Sequence, residues 1–172
     1  RYAKKRNLIH QFCREYVRHD RVLVEYIHAP QVDECLKFLE IWCDEHACDV
    51  VDQASSLACE KEALITTLKN IDQLESWGIL VRVDGNVKAF GIGSRLNETM
   101  ATLNFEKAFS SIKGLYQFLD NECAKQLFHD FRYVNKESDM NLPNLAESKQ
   151  SYNPIMRINS FALQLRKPIQ SV

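Results

Sequence analysis

Ile79-Leu80-Val81-Arg82-Val83-Asp84-Gly85-Asn86-Val87, followed by Met100-Ala101-Thr102-Leu103-Asn104-Phe105-Glu106, is the stretch that decides the fold class of this chain. Two β-branched, apolar runs, 79–83 and 87–94, flank Asp84-Gly85-Asn86, a turn sequence between antiparallel strands. A third strand is predicted over 100–109. Strict alternation there puts Ala101, Leu103 and Phe105 on one face and Thr102, Asn104 and Glu106 on the other. Gly91-Ile92-Gly93 lies inside a strand rather than opening a helix. It therefore marks a bulge or a close backbone approach, not a dinucleotide fingerprint.

On either side of this meander the hydrophobic period is helical. Leu8, Ile9, Phe12, Cys13 and Tyr16 predict a first helix, and a short strand follows at 21–26. Ala29-Pro30 opens a second helix whose buried face is Val32, Cys35, Leu36, Leu39, Trp42 and Cys43. Ser55 or Ser56 caps a third, striped by Leu57, Leu64, Leu68, Ile71 and Leu74. After the meander, Gly114 precedes a helix carrying Leu115, Phe118, Leu119, Ala124 and Leu127. A strand at 131–135, a helical segment at 142–149 and a last extended strand at 155–163 complete the order. That order predicts an α/β (α+β) domain, a mixed sheet flanked by helices.

The 172 residues, 45% of them hydrophobic, suffice for one self-contained core, so a single domain over 1–172 is expected. Only five Gly and four Pro exclude collagen-like and low-complexity chains. With 22 basic and 23 acidic side chains, a surface that grips nucleic acid all over is also excluded. No apolar run approaches the ~20 residues of a membrane span and no leader pattern is visible, which predicts a cytoplasmic protein. The first residue is Arg rather than Met, the mark of an excised piece. Six Cys are too sparse for a disulfide scaffold and read as buried thiols. Cys43, His46, Cys48 and Cys59 match no common zinc spacing, and Cys43 lies on an apolar stripe, so no metal site is expected. The five His are scattered and form no nucleophile dyad.

Four short motifs narrow the reading further. They are Phe105-Glu106-Lys107-Ala108, Lys113-Gly114-Leu115-Tyr116-Gln117, Asn135-Lys136-Glu137-Ser138-Asp139 and Ser151-Tyr152-Asn153-Pro154. In this order the chain resembles the family containing the C-terminal cytosolic domain of phosphatidylglycerol lysyltransferases and their soluble relatives of unknown function. The family pattern has an E-K-A strand, a G-x-Y helix start, N-R-E-x-D-x-G, G-L-R-K-A-K and S-Y-x-P. This chain departs from it at Lys136 in place of Arg and Asn141 in place of Gly. Ala146 and Glu147 replace an Arg and a Lys. The resemblance implies a fold like that of the acyl-CoA N-acyltransferases, with this chain as the second of two tandem units. Two splayed strands, one bearing Glu106 and one ending at Asn135, would hold the donor. It also implies aminoacyl transfer (lysyl or similar) from charged tRNA to a lipid head group or small amine, with no separate cofactor.

Aminoacyl transfer needs a held donor, a proton acceptor and a stabilised oxyanion. On that reading Glu106 and Asp139 are the catalytic carboxylates, with Glu137 joining them to receive a basic aminoacyl group. Asn135 orients the donor, Gly114 opens a helix whose N–H groups face negative charge, and Lys149 meets a phosphate or oxyanion. Tyr116 and Tyr152 stack on a base or donate from their hydroxyls. Each has a plainer reading: an ion pair for Glu106, helix capping for Asp139 or Ser138, backbone satisfaction for Asn135 and core packing for the tyrosines. The basic run Arg1, Lys4, Lys5, Arg6, Arg14, Arg18 and Arg21 is a phosphate-facing patch or the solvated side of a helix. Two alternatives stand beside tRNA-dependent transfer. One is an acyl-CoA-dependent N-acyltransferase, disfavoured because 110–116 offers a single Gly where a pyrophosphate loop needs more. The other is an inactive ligand- or partner-binding module, favoured by Ala146 and Glu147.

Overall fold

Val22–Tyr26 (β1), Ser76–Val83 (β2), Asn86–Arg95 (β3), Met100–Ala108 (β4) and Tyr133–Asn135 (β5) form one sheet in that order in the computed structural model. The structure describes residues 2–45, 56–140, 142–159 and 161. Neighbouring strands are antiparallel except β4 and β5, which run parallel. The predicted turn forms as a two-residue hairpin, with Asp84 at φ 52° and Gly85 at φ 78°, the left-handed pair that matches strand twist. Arg21 clamps the turn through two 2.6 Å bonds to Asp84.

Helices cover both faces, and alternate strand residues divide between them. Val32–Glu45 (α2) and Ser56–Lys69 (α3) bury Phe38, Leu39, Trp42, Leu64 and Leu68 against Leu80, Phe90 and Ile92. Ala3–Glu15 (α1) and Leu115–Gln126 (α4) bury Phe12, Leu115, Leu119 and Cys123 against Ile79, Val81, Ala101 and Leu103. Each such Leu or Phe contributes about 1.5–3 kcal/mol on leaving water. Arg82 ties the layers together, bonding Glu25 on β1 at 2.5 Å and Glu34 on α2 at 2.5 and 2.8 Å. Cys13, Cys35, Cys43 and Cys123 are free thiols. Burial pushes Cys35 up to about 12 and raises Cys13 and Cys123 as well, so these are packing residues rather than nucleophiles.

Several expectations need correction. Alternation along β4 is broken, because Ile92 faces Phe105 whereas Gly93 faces Leu103, leaving Asn104 as the extra residue of a β-bulge. Phe105 accordingly packs on the α2–α3 side, while Ala108 joins Ala101 and Leu103 on the α1–α4 side. Glu106, two residues before Ala108, faces α4 with them. Leu74 is 46% exposed, and Ala124 faces solvent while Cys123 takes the core position. The N-cap residue of the last helix, Pro143–Gln150 (α5), is Leu142 without a side-chain cap, and Ser138 instead accepts a bond from the Met140 N–H. No strand occurs at 155–159 or at 161, the described parts of the predicted last strand. His46, Cys48, Ser55 and Asn141, with the side chains of Leu57 and Cys59, lie outside the described residues.

Candidate functional site

β5 pairs with β4 over only three positions, Met100–Tyr133, Ala101–Val134 and Thr102–Asn135, although β4 runs on to Ala108. The 3.1 Å bond from Phe109 N–H to Lys88 O sets the phase of the β3–β4 ladder. It makes Ala108 and Glu106 non-hydrogen-bonded partners of β3, so their own N–H and C=O groups point toward the side where β5 has ended. Side chains take up that edge at Ala108. Trp42 Nε1 donates to its carbonyl at 3.1 Å, and the Tyr116 hydroxyl lies beside its backbone. Among the described residues nothing caps the edge in the same way at Glu106. β5 ends at Asn135 with all three of its residues paired, which leaves an opening along this part of the β4 edge among the described residues.

The Glu106 side chain stands at that opening in a cluster of charges. Lys136, the residue after β5, donates to Glu106 Oε2 at 3.2 Å and to Asp120 Oδ1 on α4. Its ammonium also lies 4.5 Å from the centroid of the Tyr152 ring, and Lys5 of α1 lies 3.3 Å from the same ring. Lys149 of α5 donates to the backbone oxygens of Lys136 and, at 2.6 Å, Ser138. The other Asp120 oxygen, Oδ2, is buried without a hydrogen-bond partner among the described residues.

Burial dominates the electrostatics of this cluster. It pushes Glu106 up to about 7, with Lys136 pulling the other way. For Lys136 burial acts to lower the pKa, but Glu106 and Asp120 outweigh it and hold the ammonium above its usual range. Lys5 and Lys149 are lowered, first by burial and then by neighbouring lysines, with Asp120 partly compensating Lys5. Burial and the Asp120 charge lift the Tyr152 phenol above its ordinary range.

Glu106, Lys149 and Tyr152 are thus brought together, with Asn135 and Glu137 beside them. Asn135 Oδ1 accepts the Glu137 N–H at 2.9 Å, turning the chain out of β5 through Glu137 at φ 59°. Glu137 accepts from Asn104 Nδ2 at 3.3 Å, at the rim of the opening. Asp139 is half-buried in the loop before α5, where its carbonyl accepts the Leu142 N–H. Tyr116 serves the far end of the β4 edge. Gly114, at φ 85°, packs against α1, where a Cβ would stand 2.3 Å from Leu8 O. Three members of the cluster, Asp120, Lys136 and Lys5, were not among the predicted site residues. Asp120 follows Tyr116 by one helical turn, and that spacing was the available clue.

A five-stranded mixed sheet in the order β1 to β5, with helices on both faces, is an acyl-CoA N-acyltransferase-like fold. A ribosomal-protein-alanine N-acetyltransferase from Brucella melitensis superimposes with a TM-score of 0.55 at 14% identity, covering 84% of this chain and 99% of that one. An aminoglycoside acetyltransferase from an uncultured soil metagenomic sample gives 0.58 at 11% identity, over 86% and 98%. These likenesses show the fold alone. The family model "Phosphatidylglycerol lysyltransferase, C-terminal" matches residues 1–163, and the chain belongs to that family. A conserved protein of unknown function from Bacteroides thetaiotaomicron shares 30% identity with a TM-score of 0.82. The match covers 90% of this chain but 50% of that protein, so this chain spans about half its length. No curated protein matches in sequence. Among the described residues no helix is long and apolar enough to cross a membrane.

Proposed function

We propose that this domain transfers an aminoacyl group, lysyl or a similar basic one, from charged tRNA to a small amine or a lipid head group. No separate cofactor takes part. The donor lies along the free edge of β4, its ester carbonyl accepting from the Glu106 N–H and its α-amino group donating to the Glu106 C=O where β5 has ended. Glu106 accepts the proton of the attacking amine or hydroxyl as it bonds to the ester carbonyl carbon, and returns it to the ribose oxygen of the tRNA as the ester C–O bond breaks, exchanges suited to a carboxylate with a pKa of about 7. Lys136 keeps that carboxylate oriented, and Glu137 and Asp139 place negative charge at the rim, suited to a basic aminoacyl side chain. Lys149 acts by holding the 136–138 turn rather than by meeting phosphate.

The observation that carries this reading is the coincidence, at one residue, of an uncapped strand edge and a buried carboxyl poised near neutrality. Family membership supports an acyltransferase-type activity, and the acidic rim beside Glu106 supports a basic aminoacyl donor. Backbone NMR of the labelled protein tests it, with a non-hydrolysable lysyl-RNA minihelix in one titration and acetyl-CoA in the other. Shifts at Glu106, Gly114 and Asn135 with the minihelix alone are expected. The same shifts with acetyl-CoA alone replace the donor by an acyl-CoA. Silence in both points to a non-catalytic module or to a site that needs the rest of the polypeptide, and repeating the titrations on the natural polypeptide separates the two.

A further inference from the structure

The open stretch of the β4 edge is bounded at both ends. β5 closes it at Thr102, and Trp42 closes it at Ala108, one rung beyond Glu106 and about 7 Å further along the strand. A buried indole usually finds a hydrogen-bond acceptor, but this one finds it on a strand edge that an extended ligand would use. The indole is also braced. Lys107, only 7% exposed, holds its ammonium 4.3 Å from the centroid of the Trp42 ring and is itself fixed by Glu60 of α3 at 3.0 Å. Trp42 is equally buried at 7%, so the ring does not leave the edge without unpacking a buried cation. A second closure lies past Ala108. The backbone of α1, through Leu8 O, occupies the space beside Gly114, and 110–116 contains no other Gly. On that side a carbonyl oxygen meets the start of α4, which disfavours a diphosphate there.

We propose that Trp42 is a specificity-determining residue that limits the donor to a single rung of β4. One aminoacyl unit is satisfied by the N–H and C=O of Glu106. A donor whose acyl group rides on an extended arm with further amides needs the Ala108 rung as well. The pantetheine of an acyl-CoA and the last residues of a peptide are such arms. With the Ala108 carbonyl already taken, their next amide is left unpaired on entering the site, and they are refused. The donor class is therefore an aminoacyl ester of an alcohol that carries no amide arm. This rests on the donor's place at the β4 edge given above, and it adds which donors that edge rejects.

S-acetylpantetheine, the arm without its nucleotide, is the probe, titrated into the labelled protein and followed at the backbone amides of Glu106 and Ala108. In the wild-type chain the Ala108 amide is expected to stay still. Trp42→Phe and Trp42→Leu keep an apolar core and free the Ala108 carbonyl. Each is expected to bind the arm roughly tenfold more tightly than wild type, the worth of about one hydrogen bond, with Ala108 now shifting. Unmoved amides in β1 and β2 show that the variants are folded. A folded variant of either kind that binds the arm no better than wild type overturns the inference. So does a wild-type chain whose Ala108 amide moves with the arm, a measurement that needs no variant. The lysyl-RNA titration is judged apart from this one. Its silence removes tRNA as the donor, whereas a gain for the arm in the variants still assigns the limit to Trp42.

Discussion

Lys136 satisfies two carboxylates at once, and removing it leaves both in a low-dielectric interior. Lys136→Met is expected to cost about 3–5 kcal/mol of stability by urea unfolding, the range for breaking a buried ion pair from one side. The loss is larger at pH 8 than at pH 5, where Glu106 takes up a proton instead. Glu106 itself sets a pH dependence. Its folded pKa is about 7 against an ordinary 4.5, so the folded state binds the proton more tightly than the unfolded state. Its stabilising contribution is complete below about 4.5 and is lost as pH rises through about 7, amounting to about 3 kcal/mol. Glu106→Gln is expected to flatten that slope in urea titrations between pH 5 and 8, and to abolish aminoacyl transfer from a lysyl-RNA minihelix carrying an ordinary, cleavable ester.

At the scale of elements, the bulge at Asn104 turns Glu106 from the face predicted by alternation to the face where α4 presents Asp120. Nothing in the period-two pattern of 100–109 announces it, because one inserted residue changes no composition and the flanking runs stay apolar. The glycines opposite are more legible. A Cβ at Gly93 would lie 2.4 Å from the Phe128 ring and 2.7 Å from Thr102 O. Gly93→Ala therefore costs about 1–3 kcal/mol in overpacking, measured by thermal or urea unfolding. Gly114→Ala adds roughly 1–2 kcal/mol for the left-handed backbone to a clash with Leu8 O. It is expected to loosen α1 from α4, seen as faster amide exchange around Phe12.

Across the whole molecule, Tyr152 joins the two ends of the described chain. Its carbonyl holds Tyr2, and its ring is shared by Lys5 of α1 and Lys136 beyond β5. Tyr152→Ala should therefore raise amide exchange at the start of α1 and through α5 together, while β2 and β3 keep their protection. Exchange that changes in α5 alone would contradict this coupling.

Most of the helix stripes, the antiparallel meander with its hairpin at Asp84-Gly85 and, through short motifs, the family were legible in the 172 residues, because they rest on local periodicity, turn chemistry or contiguous residues; the order of strands in the sheet was not, and the strand predicted from 155 onward does not form in its described part. Glu106 and Tyr152 were likewise visible through short motifs. The site as an assembly was not. Asp120, Lys136 and Lys5 lie on three elements separated by up to 131 positions in the chain, and no local pattern carries the information that they converge. Nor does sequence show where β5 stops pairing. Only packing of α4 and α5 against the sheet decides that the β4 edge stays uncapped at Glu106, and only burial in that packing moves its carboxyl toward neutrality.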